Sequence, residues 1–163
     1  MSALPKTPSQ TVGPFYAIGM CRRPDDELVP HGDPAALRLI GRLHDGEGAP
    51  IADGLIEIWD AAGGRWGRSG TDADGRFSLV VAKPEAREGR APRFDVYVHA
   101  RGLLRHQLTR MYFPDEEEAN AADPVLAALD PAERRTLVAE AEDGALRFDI
   151  HMQGERQTVF FEH

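Results

Sequence analysis

Between Leu146 and Met152 the chain alternates without a break: Leu146, Phe148, Ile150 and Met152 are apolar, and Arg147, Asp149 and His151 between them are polar. Strand side chains point to opposite faces with a period of two, so this run predicts a sheet with one buried and one wet face. Weaker versions recur along the chain between tight turns. Leu37, Leu39 and Leu43 sit at even spacing before the turn His44-Asp45-Gly46-Glu47-Gly48, and Leu55 to Trp59 follows Asp53-Gly54. Phe77 to Val81 follows Asp72-Ala73-Asp74-Gly75, where glycine is free to take a positive φ. Phe94 to Ala100, Leu108 to Phe113 and, after a turn at Gly154, Thr158 to Phe161 read as further strands. Asp123-Pro124 and Asp130-Pro131 each offer an N-cap followed by proline at the first helical position. Glu133 completes a capping box with Asp130, so one or two short helices belong between 124 and 141. Many short strands with few helices predict a mostly β protein, a single-domain β-sandwich over residues 1–163.

Residues 1–35 lack this periodicity and hold Pro5, Pro8, Pro14, Pro24, Pro30 and Pro34. Each proline removes a backbone donor and restricts its predecessor, which predicts an extended N-terminal arm ahead of a sandwich at 36–163. The arm's segment Thr11 to Ile18 is too apolar and aromatic to lie in water, so it is expected to pack against something.

At 163 residues, with 42% hydrophobic and 28% charged side chains, the composition is that of a globular domain. Twenty-seven acidic against nineteen basic residues give a net charge of −8, which argues against binding a phosphate backbone. No apolar run approaches the roughly 18–20 residues of a membrane span, and Met1 to Lys6 holds no signal-like stretch. Cys21 is the only cysteine, which fits a reducing cytoplasm and an inert thiol.

The six histidines, His31, His44, His99, His106, His151 and His163, include no pair at the short spacings typical of zinc or iron sites. Asp95, Tyr97 and His99 share one strand face and form a conceivable O, O, N ligand set. Hydrogen-bonded side chains on a half-solvated sheet face are the simpler reading. Ser9, Ser69 and Ser78 sit in no nucleophile elbow, and no glycine-rich loop precedes a helix.

Four segments add what residue chemistry does not. Thr7-Pro8-Ser9-Gln10-Thr11-Val12-Gly13-Pro14-Phe15-Tyr16, Gly54-Leu55-Ile56-Glu57-Ile58-Trp59-Asp60, Gly70-Thr71-Asp72-Ala73-Asp74-Gly75-Arg76-Phe77 and Thr109-Arg110-Met111-Tyr112-Phe113 resemble, in this order, the intradiol ring-cleavage dioxygenases. Ala100-Arg101-Gly102, Glu117-Glu118-Ala119-Asn120, Asp123-Pro124-Val125-Leu126 and Gln153-Gly154-Glu155 resemble the α subunit of the two-chain members that cleave protocatechuate. In that family the β subunit holds ferric iron with two tyrosines and a His-x-His pair. Here the matching positions carry Trp66, no tyrosine between Glu85 and Arg90, and Arg93 and Asp95. The chain is also shorter than the family between Trp66 and Thr71.

The resemblance therefore implies a chain with no catalytic residue and no metal ligand of its own. Fe(III) would sit in a partner β subunit, within a higher αβ oligomer. The pair would cleave protocatechuate with O2 to 3-carboxy-cis,cis-muconate. Gly13, Pro14, Tyr16 and Arg101 would complete the substrate pocket, Arg101 meeting the substrate carboxylate. The alternative is a stand-alone, prealbumin-like β-sandwich that binds ligands without catalysis, for which Asp72 to Phe77 is a generic signature.

Overall fold

The chain is described by a computed structural model over residues 6–13, 15–87 and 89–162. After a short helix α1 (Tyr16–Met20) come the strands β1 (Leu37–His44), β2 (Leu55–Asp60), β3 (Arg65–Gly70), β4 (Arg76–Val81), β5 (Arg93–His99) and β6 (Gln107–Tyr112). Three short helices follow, α2 (Glu117–Ala122), α3 (Pro124–Ala127) and α4 (Pro131–Arg135). The last strands are β7 (Glu140–Glu142), β8 (Ala145–Arg147) and β9 (Ile150–His151). One sheet runs β4-β1-β8-β7 with β9 also on β1, and the other runs β3-β2-β5-β6.

The period of two drives this arrangement. Along β5, Phe94, Val96 and Val98 are buried while Arg93, Asp95, Tyr97 and His99 are half-exposed. Leu39, Leu43, Phe77, Leu79, Leu146, Phe148 and Ile150 meet them from the other sheet in one core. Phe148 presses so close to β1 that a side chain on Gly41 would collide with its carbonyl oxygen and with the Phe77 ring. The predicted turn before β4 is present: Asp72 Oδ1 accepts from Asp74 N and Arg76 N, each at 2.9 Å. Both predicted N-caps are present, Asp123 on α3 and the Asp130–Glu133 capping box on α4.

Three expectations need correction, and one strand is an addition. The arm is not extended throughout, because residues 16–20 close into α1, a helix with no buried residue. Helix α2 lies ahead of the expected 124–141 window. Residues 158–161 make only an isolated bridge, Leu108 with Phe161, since Thr158 and Val159 are taken up by bonds to His151 and Thr136. Strand β3 was not foreseen: Arg65-Trp66-Gly67-Arg68-Ser69-Gly70 has no apolar alternation, and its pairing with β2 makes it a strand. Among the described residues no helix is long and apolar enough to cross a membrane.

Candidate functional site

The outer face of the β3-β2-β5-β6 sheet carries the residues that the sequence singled out. Its register sets Trp66, Trp59, Asp95 and Arg110 side by side across four strands. Arg110 Nε donates to Asp95 Oδ1 at 3.3 Å, and Arg93 Nε lies 3.8 Å from the same oxygen. Farther along the face, Arg68 Nε donates to Glu57 Oε1 at 2.9 Å, its Nη2 also bonds this carboxylate, and His99 Nε2 lies 3.3 Å from Glu57 Oε2. The His99 hydrogen bond and the Arg68 guanidinium outweigh burial and hold the Glu57 carboxyl at about 2 instead of 4.5. The Arg68 guanidinium also covers the Trp66 ring at 4.6 Å.

This geometry disposes of an O, O, N ligand set. Asp95 is neutralised by arginines, His99 is turned to Glu57, and the Tyr97 ring packs edge-on against His106 at 5.4 Å. The family's ligand positions fare no better as a place for ferric iron. Trp66 has no ionisable oxygen, Arg93 is a cation, and Asp95 is already shared between two guanidiniums. One satisfied carboxylate beside cations does not fit Fe(III), because the cations repel it. Among the described residues no group of three or more His, Cys, Asp or Glu side chains is placed to hold a metal.

The arm forms a second locus. Thr11 Oγ1 donates to Ala100 O at 3.3 Å and accepts from Gly102 N at 2.9 Å, so the arm is pinned on either side of Arg101. Tyr16 N donates to Gly13 O at 3.2 Å, folding Tyr16 back toward the sandwich. Burial, and then the neighbouring Cys21 and Asp53, push the Tyr16 phenol far above its ordinary value. Arg101 forms an ion pair with Asp53 while its side chain stays 60% exposed. Tyr16, Asp53 and Arg101 are thus one electrostatic group, next to which Gly13 is exposed. Pro14 lies outside the described residues.

Sequence reasoning missed Asp53, whose only signal was the turn dipeptide Asp53-Gly54. Farther back, Arg68 Nη1 donates to Met20 O at 3.2 Å and Arg68 N to Asp25 O at 2.6 Å. Leu28 packs so tightly over Gly67 that a Cβ there would overlap its side chain. Between these anchors Phe15 and Ile18 remain 76% and 79% exposed. Beside the arm, Gln10, Val12, Leu103, Leu104 and His106 line an open groove of about 590 Å³.

Three likenesses accompany this geometry. The chain is 40% identical to the protocatechuate 3,4-dioxygenase alpha chain of Burkholderia cepacia, over 99% of this chain and 100% of that one. It is 36% identical to the alpha chain of the same name from Pseudomonas putida, covering 98% and 97%. Among solved structures, it superposes on the dioxygenase domain of a dioxygenase carbohydrate-binding protein fusion from Streptomyces sp. SirexAA-E. The TM-score is 0.62 at 25% identity, covering 91% of this chain and 98% of that domain. No family model matches the chain.

Proposed function

Because the chain belongs to the protocatechuate 3,4-dioxygenase alpha-chain family of intradiol dioxygenases, we propose that it is the non-catalytic subunit of such an enzyme. Its partner is an iron-bearing beta subunit, and the pair inserts both atoms of O2 into protocatechuate to give 3-carboxy-cis,cis-muconate. Intradiol dioxygenases are iron enzymes, and the iron, held by the beta chain, supplies the means to engage the catechol oxygens and O2. The observation that carries this reading is a full-length likeness to alpha chains joined to Trp66, Arg93 and Asp95 at the ligand positions. A stand-alone binding module is not favoured, since it gives no reason for the pinned arm.

This chain's own contribution is positional. Arg101 presents a planar guanidinium to the substrate carboxylate, and Asp53 sets its orientation while leaving it open to solvent. The raised Tyr16 phenol stays protonated across the working pH range and serves as a neutral hydrogen-bond donor. Gly13 brings backbone close to the pocket without side-chain bulk, and Pro14 is assigned to the pocket on the family resemblance alone. Phe15 and Ile18, exposed in this chain, are buried against the beta subunit, which keeps water from the pocket. Residues 1–35 act as the arm of a single sandwich domain over 36–163, and αβ pairs assemble further in the cytoplasm.

Co-expression with a beta chain tests the proposal. The chain purified alone is expected to be colourless and iron-free, and the co-purified pair to bind iron and to convert protocatechuate. Near-stoichiometric iron on the chain alone, or an active beta chain that needs no partner, overturns the reading.

A further inference from the structure

We propose that Asp53 sets how strongly the enzyme prefers catechols that bear a carboxylate, because such a substrate must compete with it for Arg101. This rests on the reading above, in which Arg101 meets the substrate carboxylate, and it adds the residue that tunes that meeting. Among the described residues Asp53 is the one acid paired with Arg101, through Nη2, and it is the less exposed of the two side chains. Asp53 also lies close enough to Tyr16 to help raise that phenol.

Both ends of this ion pair are clasped at the backbone by a threonine hydroxyl. Thr71 Oγ1 accepts from Gly54 N at 2.8 Å and donates to Ile51 O at 2.7 Å, so it brackets Asp53. Gly54 has no room for a side chain, since a Cβ there would overlap Leu43 Cδ2 and press on Thr71. Thr11 Oγ1 brackets Arg101 in the same way, between Ala100 O and Gly102 N. Asp53 is therefore held in place when a second carboxylate arrives, and the exposed arginine side chain is the part that can turn. A substrate carboxylate that reaches Arg101 shares the guanidinium with Asp53 and is repelled by it, which weakens binding of the acid. A catechol without a carboxylate leaves the Arg101–Asp53 pair intact, so closing the pocket over it strands no cation. Both effects narrow the preference for the acid. Removing the negative charge alone widens it.

Asp53→Asn separates charge from orientation, because the amide oxygen still offers Arg101 an acceptor. In the co-purified αβ enzyme this variant is expected to lower KM for protocatechuate about threefold with kcat nearly unchanged. The ratio of kcat/KM for protocatechuate over catechol should rise about fivefold. Inhibition constants of 4-hydroxybenzoate and phenol, which lack the second hydroxyl, should show the same widening without turnover. In an Arg101→Ala background Asp53→Asn should change nothing, whereas a merely structural aspartate would act in both backgrounds. Asp53→Ser, which also removes the charge, carries the test should Asp53→Asn fail to assemble. An unchanged or lower ratio in these variants, with Arg101→Ala still collapsing the preference, overturns the inference and leaves the reading of Arg101 standing. A preference that survives Arg101→Ala overturns both.

Discussion

The Arg101 guanidinium is held by one carboxylate while remaining open enough to meet another. If it meets the substrate's, Arg101→Ala removes a charge-assisted hydrogen bond worth roughly 1.5–3 kcal/mol. The assembled enzyme should then lose about ten- to a hundredfold in kcat/KM for protocatechuate. Catechol, which lacks the carboxylate, should be turned over nearly as before, and Arg101→Lys should recover only part of the loss. Equal losses for both substrates would make Arg101 an interface residue. Glu57 gives a prediction of a different kind. Its carboxyl is held at about 2, below the 4.5 of an unfolded chain, so its pairing with His99 and Arg68 stabilises the fold fully above about pH 4.5. That contribution disappears as the pH falls toward 2. Glu57→Gln should therefore flatten the loss of stability between these limits, measured by urea unfolding at a series of pH values; an unchanged slope would exclude Glu57 as its source.

Two aspartates at helix starts separate legible from illegible energetics. Both Asp123-Pro124 and Asp130-Pro131 read as caps, and both cap. Their burial differs. Asp130 is exposed and bonds only within its own helix, so Asp130→Ala should cost about 1 kcal/mol. Asp123 is fully buried and also accepts from Ala91 N at 3.0 Å and from the Tyr112 hydroxyl at 3.4 Å. Asp123→Ala uncaps α3 and leaves two buried donors unpaired, which should cost about 2–4 kcal/mol. Thermal unfolding of the two variants checks the contrast, and equal losses would refute it. Nothing local distinguishes the two motifs, because Ala91 and Tyr112 come from other parts of the chain. Strand β3 shows the same limit: its polar, glycine-containing sequence becomes a strand by pairing with β2, and Gly67 is required there by Leu28.

For the molecule as a whole, the arm is the part expected to matter more for assembly than for folding. Ahead of residue 17 no described residue is fully buried, and Thr11 provides the side-chain anchor. Deleting residues 1–16 should leave the melting temperature within a few degrees and sharply reduce co-purification with the beta chain and activity. A truncated chain that assembles and turns over normally would show the arm to be dispensable.

Taken alone, the sequence determined the sandwich, because alternating apolar residues must be buried on one face and turn residues mark where strands end. It also showed what the positions matched to the family's ligands carry: an indole at Trp66, a guanidinium at Arg93 and no tyrosine between Glu85 and Arg90. The tertiary structure decided what the charged residues pair with. That Asp95 is shared between Arg93 and Arg110, and that Asp53 joins Arg101 and Tyr16, depends on strands and arm meeting in space. Charge pairing acts through space, and residues separated by 42 positions, like Glu57 and His99, are neighbours only after the strands have registered.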